Sequence, residues 1–98
     1  GYGNLSSNTS SISGGYKNKA TAGYSSISGG HSNAVSSLLG SISGGFGNGV
    51  RSFHSSISGG ANNTTNGNAS SISGGYTNSS KGRYSSISGG SNNRTFNL

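Results

Sequence analysis

The sequence predicts an all-β fold: a parallel β-roll, or β-solenoid, of about six 15-residue coils with two short strands per coil. Three observations predict it. Ser-Ile-Ser-Gly-Gly recurs at Ser11–Gly15, Ser26–Gly30, Ser41–Gly45, Ser56–Gly60, Ser71–Gly75 and Ser86–Gly90. Its central residues, Ile12, Ile27, Ile42, Ile57, Ile72 and Ile87, are the only isoleucines and recur at one constant interval without a slip. An asparagine file, Asn18, Asn33, Asn48, Asn63, Asn78 and Asn93, keeps the same spacing. A fixed period this short marks a solenoid, in which each repeat is one coil stacked on the next.

Composition sets the limits of that fold. Of 98 residues, 26% are apolar and 20 are glycine, so an ordinary globular core is out of reach. A disordered chain of similar composition would have no reason to place one isoleucine in every repeat. Residues 1–98 are therefore read as a single repeat domain. The chain opens inside its own pattern, since Gly1-Tyr2-Gly3-Asn4 parallels Gly15-Tyr16-Lys17-Asn18, and it is expected to be an excerpt of a longer array. The interval from Asn4 to Asn18 is one position less than the period, so the first coil is expected to be correspondingly short.

The first strand of each coil centres on the isoleucine, whose β-branch suits a pleated surface. The second centres on the column Ala20, Val35, Val50, Thr65, Ser80 and Thr95, two positions after each asparagine. That column turns from apolar to polar, which predicts looser packing in the second half. Glycines at the Gly-Gly pair and at Gly23, Gly67 and Gly82 are expected to take the bends, because tight bends often need positive φ. The six isoleucines form the core ladder, and the asparagine amides are expected to bond along the stack. Like positions in neighbouring coils should sit ~4.8 Å apart, giving a column about 30 Å long.

Alternation assigns the faces. With Ile27 inward, Ser25 and Gly29 are expected inward and Tyr24, Ser26 and Ser28 outward. The outer face then carries two serine files: Ser11, Ser26, Ser41, Ser56, Ser71 and Ser86, and Ser13, Ser28, Ser43, Ser58, Ser73 and Ser88. These serines are the candidate binding face. Beside them runs a mixed column of Thr9, Tyr24, Leu39, His54, Ala69 and Tyr84. The second strand presents irregular outward residues, among them Lys19, Thr21, Arg51, Asn66 and Lys81. A further file, Tyr16, His31, Phe46, Ala61 and Tyr76, is expected to pack at a corner before it serves as a binding strip.

The chemistry an enzyme needs is sparse. There is no Asp or Glu for general acid–base work or hard-metal binding. His31 and His54 fall in different columns without a carboxylate to orient them. The glycines do not form the Gly-x-x-x-x-Gly-Lys-Ser/Thr phosphate loop. No catalytic residue, metal or cofactor is expected. Asn-x-Ser/Thr occurs at Asn4, Asn8, Asn62, Asn63, Asn68, Asn78 and Asn93, a density that chance supplies in so Asn- and Ser-rich a chain. The net charge is +6, from Lys17, Lys19, Arg51, Lys81, Arg83 and Arg94. These cations are scattered along the sequence, so they read as solubilising charge, with no specific nucleic acid expected. No apolar run reaches the ~20 residues of a membrane span.

The run Ser25-Ser26-Ile27-Ser28-Gly29-Gly30-His31-Ser32-Asn33-Ala34-Val35 resembles the head repeats of YadA-like trimeric autotransporter adhesins. Many of those carry Ser-Ser-Val-Ser-Gly-Gly-x-x-Asn-x-Ala-Ser-Gly. The resemblance implies a left-handed parallel β-roll, a trimer, and a place on a bacterial surface binding host matrix or other cells. Here a single isoleucine stands between serines where the better-known repeat has two apolar residues. Asn18-Lys19-Ala20-Thr21-Ala22-Gly23 is similar to the repeats of plant ice-recrystallisation-inhibition β-rolls, with Ala in place of Val. That likeness implies ice binding through a flat hydroxyl face.

Together these readings predict a non-enzymatic module, extracellular or at the cell surface, acting in adhesion or within a surface fibre. Ice binding by the serine face is the alternative, and a purely structural self-assembling fibre segment the second alternative. The expected partners are further copies of the chain, as a trimer or an end-to-end stack, and host matrix, cell surface or ice.

Overall fold

In the computed structural model, which describes residues 3–6 and 9–96, each isoleucine lies in a strand of two residues. Gly1, Tyr2 and Asn8 of the sequence patterns lie outside the described residues. The isoleucine strands are Ser11–Ile12, Ser26–Ile27, Ser41–Ile42, Ser56–Ile57, Ser71–Ile72 and Ser86–Ile87. They pair in parallel, Ile12 on Ile27 and onward to Ile72 on Ile87. The second sheet holds Leu5–Ser6, Lys19–Ala20, Ala34–Val35, Gly49–Val50, Thr64–Thr65, Ser79–Ser80 and Arg94–Thr95, again parallel. Single parallel bridges join Tyr16, His31, Phe46, Ala61, Tyr76 and Ser91 along a third line. The protein is an all-β solenoid with two strands per coil, 38 Å in its longest extent and only 12 Å in its shortest. No helix among the described residues is long and apolar enough to cross a membrane.

Register follows the sequence period. Leu5 pairs with Lys19 and Ser6 with Ala20, one position less than the step that pairs Ser11 with Ser26. The short first coil expected from Asn4 is therefore present. The full step already holds at Thr9, whose hydroxyl accepts the N–H of Tyr24, its full-period equivalent.

The thin interior joins the two ladders. Ile27, Ile42, Ile57 and Ile72 are buried against Ala20, Val35 and Val50, and Ile12 is half-buried at the end of the stack. Thr65 and Ser80 continue the second ladder and are equally buried. Up to Ser80 the polar half thus loses no burial and differs in what its buried atoms are; Thr95, in the last coil, is half-buried. Gly40 stands where other coils have Ser25, Ser55, Ser70 and Ser85, and the valines give the reason. A Cβ there would fall 2.7 Å from Val50 Cγ1 and 2.8 Å from Val35 Cγ1.

Strands stay short because three positions per coil reverse the sign of φ. One is the second glycine of each pair, with φ between 87° (Gly60) and 99° (Gly75). A Cβ there would run into the carbonyl oxygen of the next coil's equivalent glycine and the asparagine amide. The other two bends depart from the sequence reading. Gly23, Gly67 and Gly82 keep ordinary φ, and the bend beside them is made by Tyr24, Leu39, His54, Ala69 and Tyr84, at 56–58°. A third set, including Lys17, Ser32, Asn62, Thr77 and Asn92, lies at 54–58°. Such residues cost ~1 kcal/mol each against an extended conformation. They are held because the reversed peptide reverses the hydrogen bond. Regular ladder groups donate to the following coil, as Lys19 N–H does to Asn33 O, whereas Ser32 N–H donates back to Tyr16 O and Ala69 N–H back to Phe53 O.

The asparagine file is the spine of the stack, though its amides do not bond to one another. The Asn33 backbone N–H donates to Asn18 Oδ1 (3.0 Å), and Asn48 N–H to Asn33 Oδ1 (2.9 Å). Asn33 Nδ2 donates to Gly29 O in its own coil (3.2 Å) and to Gly45 O in the next (3.0 Å). The same three bonds recur at Asn48, Asn63 and Asn78. Each amide ties the glycine bend to two coils: it supplies a donor to Gly29 O and adds a second donor to Gly45 O, which also accepts His31 N–H (2.9 Å).

Candidate functional site

The serine face is built by the isoleucine sheet. Ile27 and Ser25 point inward, so Ser26 and Ser28 project outward on either side of the isoleucine. Backbone ladder bonds hold both files in line, with Ser26 N–H on Gly40 O (3.1 Å) and Ser28 N–H on Ile42 O (3.0 Å). The two files differ in exposure. Ser13, Ser28, Ser43, Ser58, Ser73 and Ser88 are exposed throughout. Ser26, Ser41, Ser56 and Ser71 are half-buried between their ladder neighbours, and only the end members Ser11 and Ser86 are exposed. None of these twelve hydroxyls hydrogen-bonds within the described chain. They form a grid of ~4.8 Å along the stack by ~7 Å across the strand.

One face assignment from alternation is corrected. Gly29, expected inward with Ser25, faces solvent: a Cβ built on it, or on Gly14, Gly44, Gly59, Gly74 or Gly89, meets nothing within 4 Å. The backbone is already turning into the bend at the next glycine, so alternation ends at Ser28. The serine face is therefore bordered by a bare glycine strip, which widens the flat surface.

The aromatic file lies outside the core. Tyr16, His31 and Phe46 stack on one another, with ring centroids 4.9 and 5.0 Å apart. Phe46 keeps half its surface exposed, and Ala61 interrupts the stack before Tyr76. The expected corner packing is thus packing of ring on ring at the surface. Tyr24 and Tyr84, in the mixed column, are the most exposed large hydrophobic side chains. His31 Nδ1 is 3.0 Å from the Ser32 hydroxyl, and the His54 ring sits edge-on to Phe53 at 4.1 Å. Of the Asn-x-Ser/Thr positions, Asn63 and Asn78 are buried in the spine and Asn62 and Asn68 are exposed.

Cations scattered along the sequence are sorted by the coil. Lys19 and Arg94 share the outer file of the second sheet; Arg51 and Lys81 share the next outward file, and all four are exposed. None of the six lies on the serine face. Two separate shallow pockets on the same columns of the repeat form an interrupted groove along the second sheet. One end, of about 350 Å³, is lined by Lys17, Lys19, Ser32, Asn33 and Ala34. The other, of about 370 Å³, is lined by Asn62, Thr64, Thr77, Asn78, Ser79, Lys81, Asn92 and Arg94. The sequence carries the signal for this groove, because cations occur only in the part of the repeat from Lys17 to Arg83 in register, never in Ser-Ser-Ile-Ser-Gly-Gly. Reading the charges along the chain, without folding them onto one period, hides it.

A scan of protein-family models finds none that matches the chain, and a search of curated proteins gives no match. The fold and the two faces define the class: a parallel β-solenoid with one neutral hydroxyl face and one basic face.

Proposed function

We propose that this chain is a non-enzymatic β-roll module, carried outside the cell or on its surface, that works in adhesion or as part of a surface fibre. The observation that carries this reading is the serine face, where the same pair of free hydroxyls is presented at successive rungs in strict register. A catalytic site needs different groups converging on one point. A repeating surface instead makes many small, equal contacts, which sum through multivalency against an extended partner or another copy. The resemblance to adhesin head repeats points the same way and adds a trimer to the proposal.

The test uses beads coated with the full chain, presented to cells and to immobilised matrix protein. Retention above bare beads is expected, and it should drop when Ser43→Tyr and Ser58→Tyr break the face. Beads that bind no better than bare ones to cells, matrix or each other would overturn the reading.

One observation favours a second reading, ice binding: the hydroxyl grid is regular in register and carries no charge. Suppressed ice-grain growth that disappears with Ser41→Tyr and Ser56→Tyr would select it. Unaltered ice growth at high protein concentration would remove it.

A further inference from the structure

We infer that the groove along the second sheet binds an anionic polysaccharide, a sugar chain bearing carboxylate or sulfate groups. The inference names a partner for the adhesive reading and rests on that reading for its biological setting, but its argument comes from a different face.

The two ends of the groove are built from the same two columns of the repeat. Lys17, Ser32, Asn62 and Thr77 are equivalent positions, as are Lys19, Ala34, Thr64 and Ser79. Between them the columns hold Gly47 and Gly49, and a Cβ on Gly49 would meet nothing within 4 Å. Between the pockets no side chain rises from Gly49, while Asn62 Oδ1 lies 2.7 Å from a Cβ built on Gly47; Lys19 and Arg94, five coils apart, span about 24 Å at ~4.8 Å per coil. That length suits an extended chain lying along the stack.

Charge selects the chemistry of that chain. With no acidic residue in the sequence, nothing on the protein neutralises Lys19, Arg51, Lys81 and Arg94. Lys19, Arg51 and Lys81 occur on alternate coils, about 10 Å apart along the stack at two rungs each, with Lys19 one outward file to the side of the other two. This spacing suits one anionic group per pair of sugars. It is too sparse for a nucleic acid, whose affinity comes from neutralising closely spaced phosphates. Between the cations the lining is hydroxyl and amide, from Asn62, Thr64, Thr77 and Ser79, the groups that hydrogen-bond sugar hydroxyls. Lys17 Nζ lies 5.2 Å from the Tyr16 ring centroid, so the exposed aromatic file borders the groove at that end.

The experiment measures retention of the full chain on immobilised hyaluronate (one carboxylate per disaccharide), κ-carrageenan (one sulfate per disaccharide), neutral dextran and poly(dT). Retention on hyaluronate or κ-carrageenan is expected at low salt and should fall as salt rises, since exposed ion contacts are screened. Whichever of the two binds tighter identifies the anionic group. The triple variant Lys19→Gln, Arg51→Gln and Lys81→Gln should lose about tenfold in affinity. A second variant adds Ser43→Lys, Ser58→Lys and Ser73→Lys, restoring net charge on the opposite face, and should stay weak. Recovery of binding in that variant would overturn the proposal by showing that net charge alone decides. Equal or tighter retention on poly(dT) would also overturn it, in favour of a nucleic-acid surface. Retention is read on the purified chain and bead adhesion on cells, so failure of one is not failure of the other.

Discussion

The two halves of the stack share one spine and fill it with different chemistry. In the first half the second ladder is Ala20, Val35 and Val50, and the facing position at Gly40 is emptied to admit the valines. In the second half the ladder is Thr65, Ser80 and Thr95, and hydroxyls link up inside the coil. Ser80 of the ladder bonds Ser85 (2.7 Å), in addition to the serine-to-carbonyl bond that both halves share, Ser25 to Ala22 O and Ser70 to Gly67 O (2.6 Å each). Thr95 Oγ1 then reaches Ser85 Oγ (2.8 Å). Thr65 Oγ1, at the junction, is buried with no partner among the described residues. This solenoid therefore requires the asparagine–glycine spine and the isoleucines in every coil, and tolerates either oil or paired hydroxyls in the remaining space. A buried hydroxyl is acceptable once it is hydrogen-bonded and costly when it is not.

The largest expected effect tests whether the spine is common to both halves. Asn48→Ala and Asn78→Ala each remove three buried or partly buried hydrogen bonds and leave a backbone N–H without its acceptor. Each should cost about 4 kcal/mol, from ~1–3 kcal/mol for every buried group left unpaired. Urea unfolding of the two variants should give equal losses. A much smaller loss at Asn78 would mean that the hydroxyl network supports the second half without the spine.

The isoleucines separate the halves. Ile42→Ala, beside the valines, should cost about 3 kcal/mol, as a cavity in an apolar setting stays empty. Ile72→Ala opens its cavity near Ser70 and Ser80, where water finds hydrogen-bonding partners, so its loss should be about 1 kcal/mol smaller. Equal losses by thermal or urea unfolding would break the distinction between an oily and a polar half.

The smallest effect is a gain. Thr65→Val removes the orphaned hydroxyl and extends the valine ladder by one coil, and should stabilise the chain by about 1 kcal/mol. The unfolding midpoint reads it directly. A loss of stability would show that the Thr65 hydroxyl has a partner in solution, a buried water being the natural one.

The candidate faces were legible in the sequence to different degrees. The serine files could be read because they lie on a strand, where side chains alternate by a simple rule and Ile27 fixes the phase. The groove could not, because Lys17 and Lys81 lie in the second and sixth copies of the pattern and become parts of one surface only when folded onto the same period. The aromatic file reads as corner packing, but that this packing is ring on ring at the surface was not legible, since a single-residue bridge offers no alternation to tell inside from outside.

The architecture is written in the order of residue types. One isoleucine and one asparagine in every repeat set the coil length, the core ladder, the parallel register and even the short first coil. That follows because coil stacking is one-dimensional: each coil must meet its neighbour at the same residue to bury the same side chain. The turns are a different matter, settled only once the coils are stacked. Stacking placed the reversed φ on Tyr24 and Lys17 where Gly23 was expected, turned Gly29 to solvent, and set the asparagine amides on backbone carbonyls. The sign of φ at a bend depends on which carbonyl of the adjoining coil is within reach of the N–H. A linear pattern of residue types does not contain that information, and the stacked coil does.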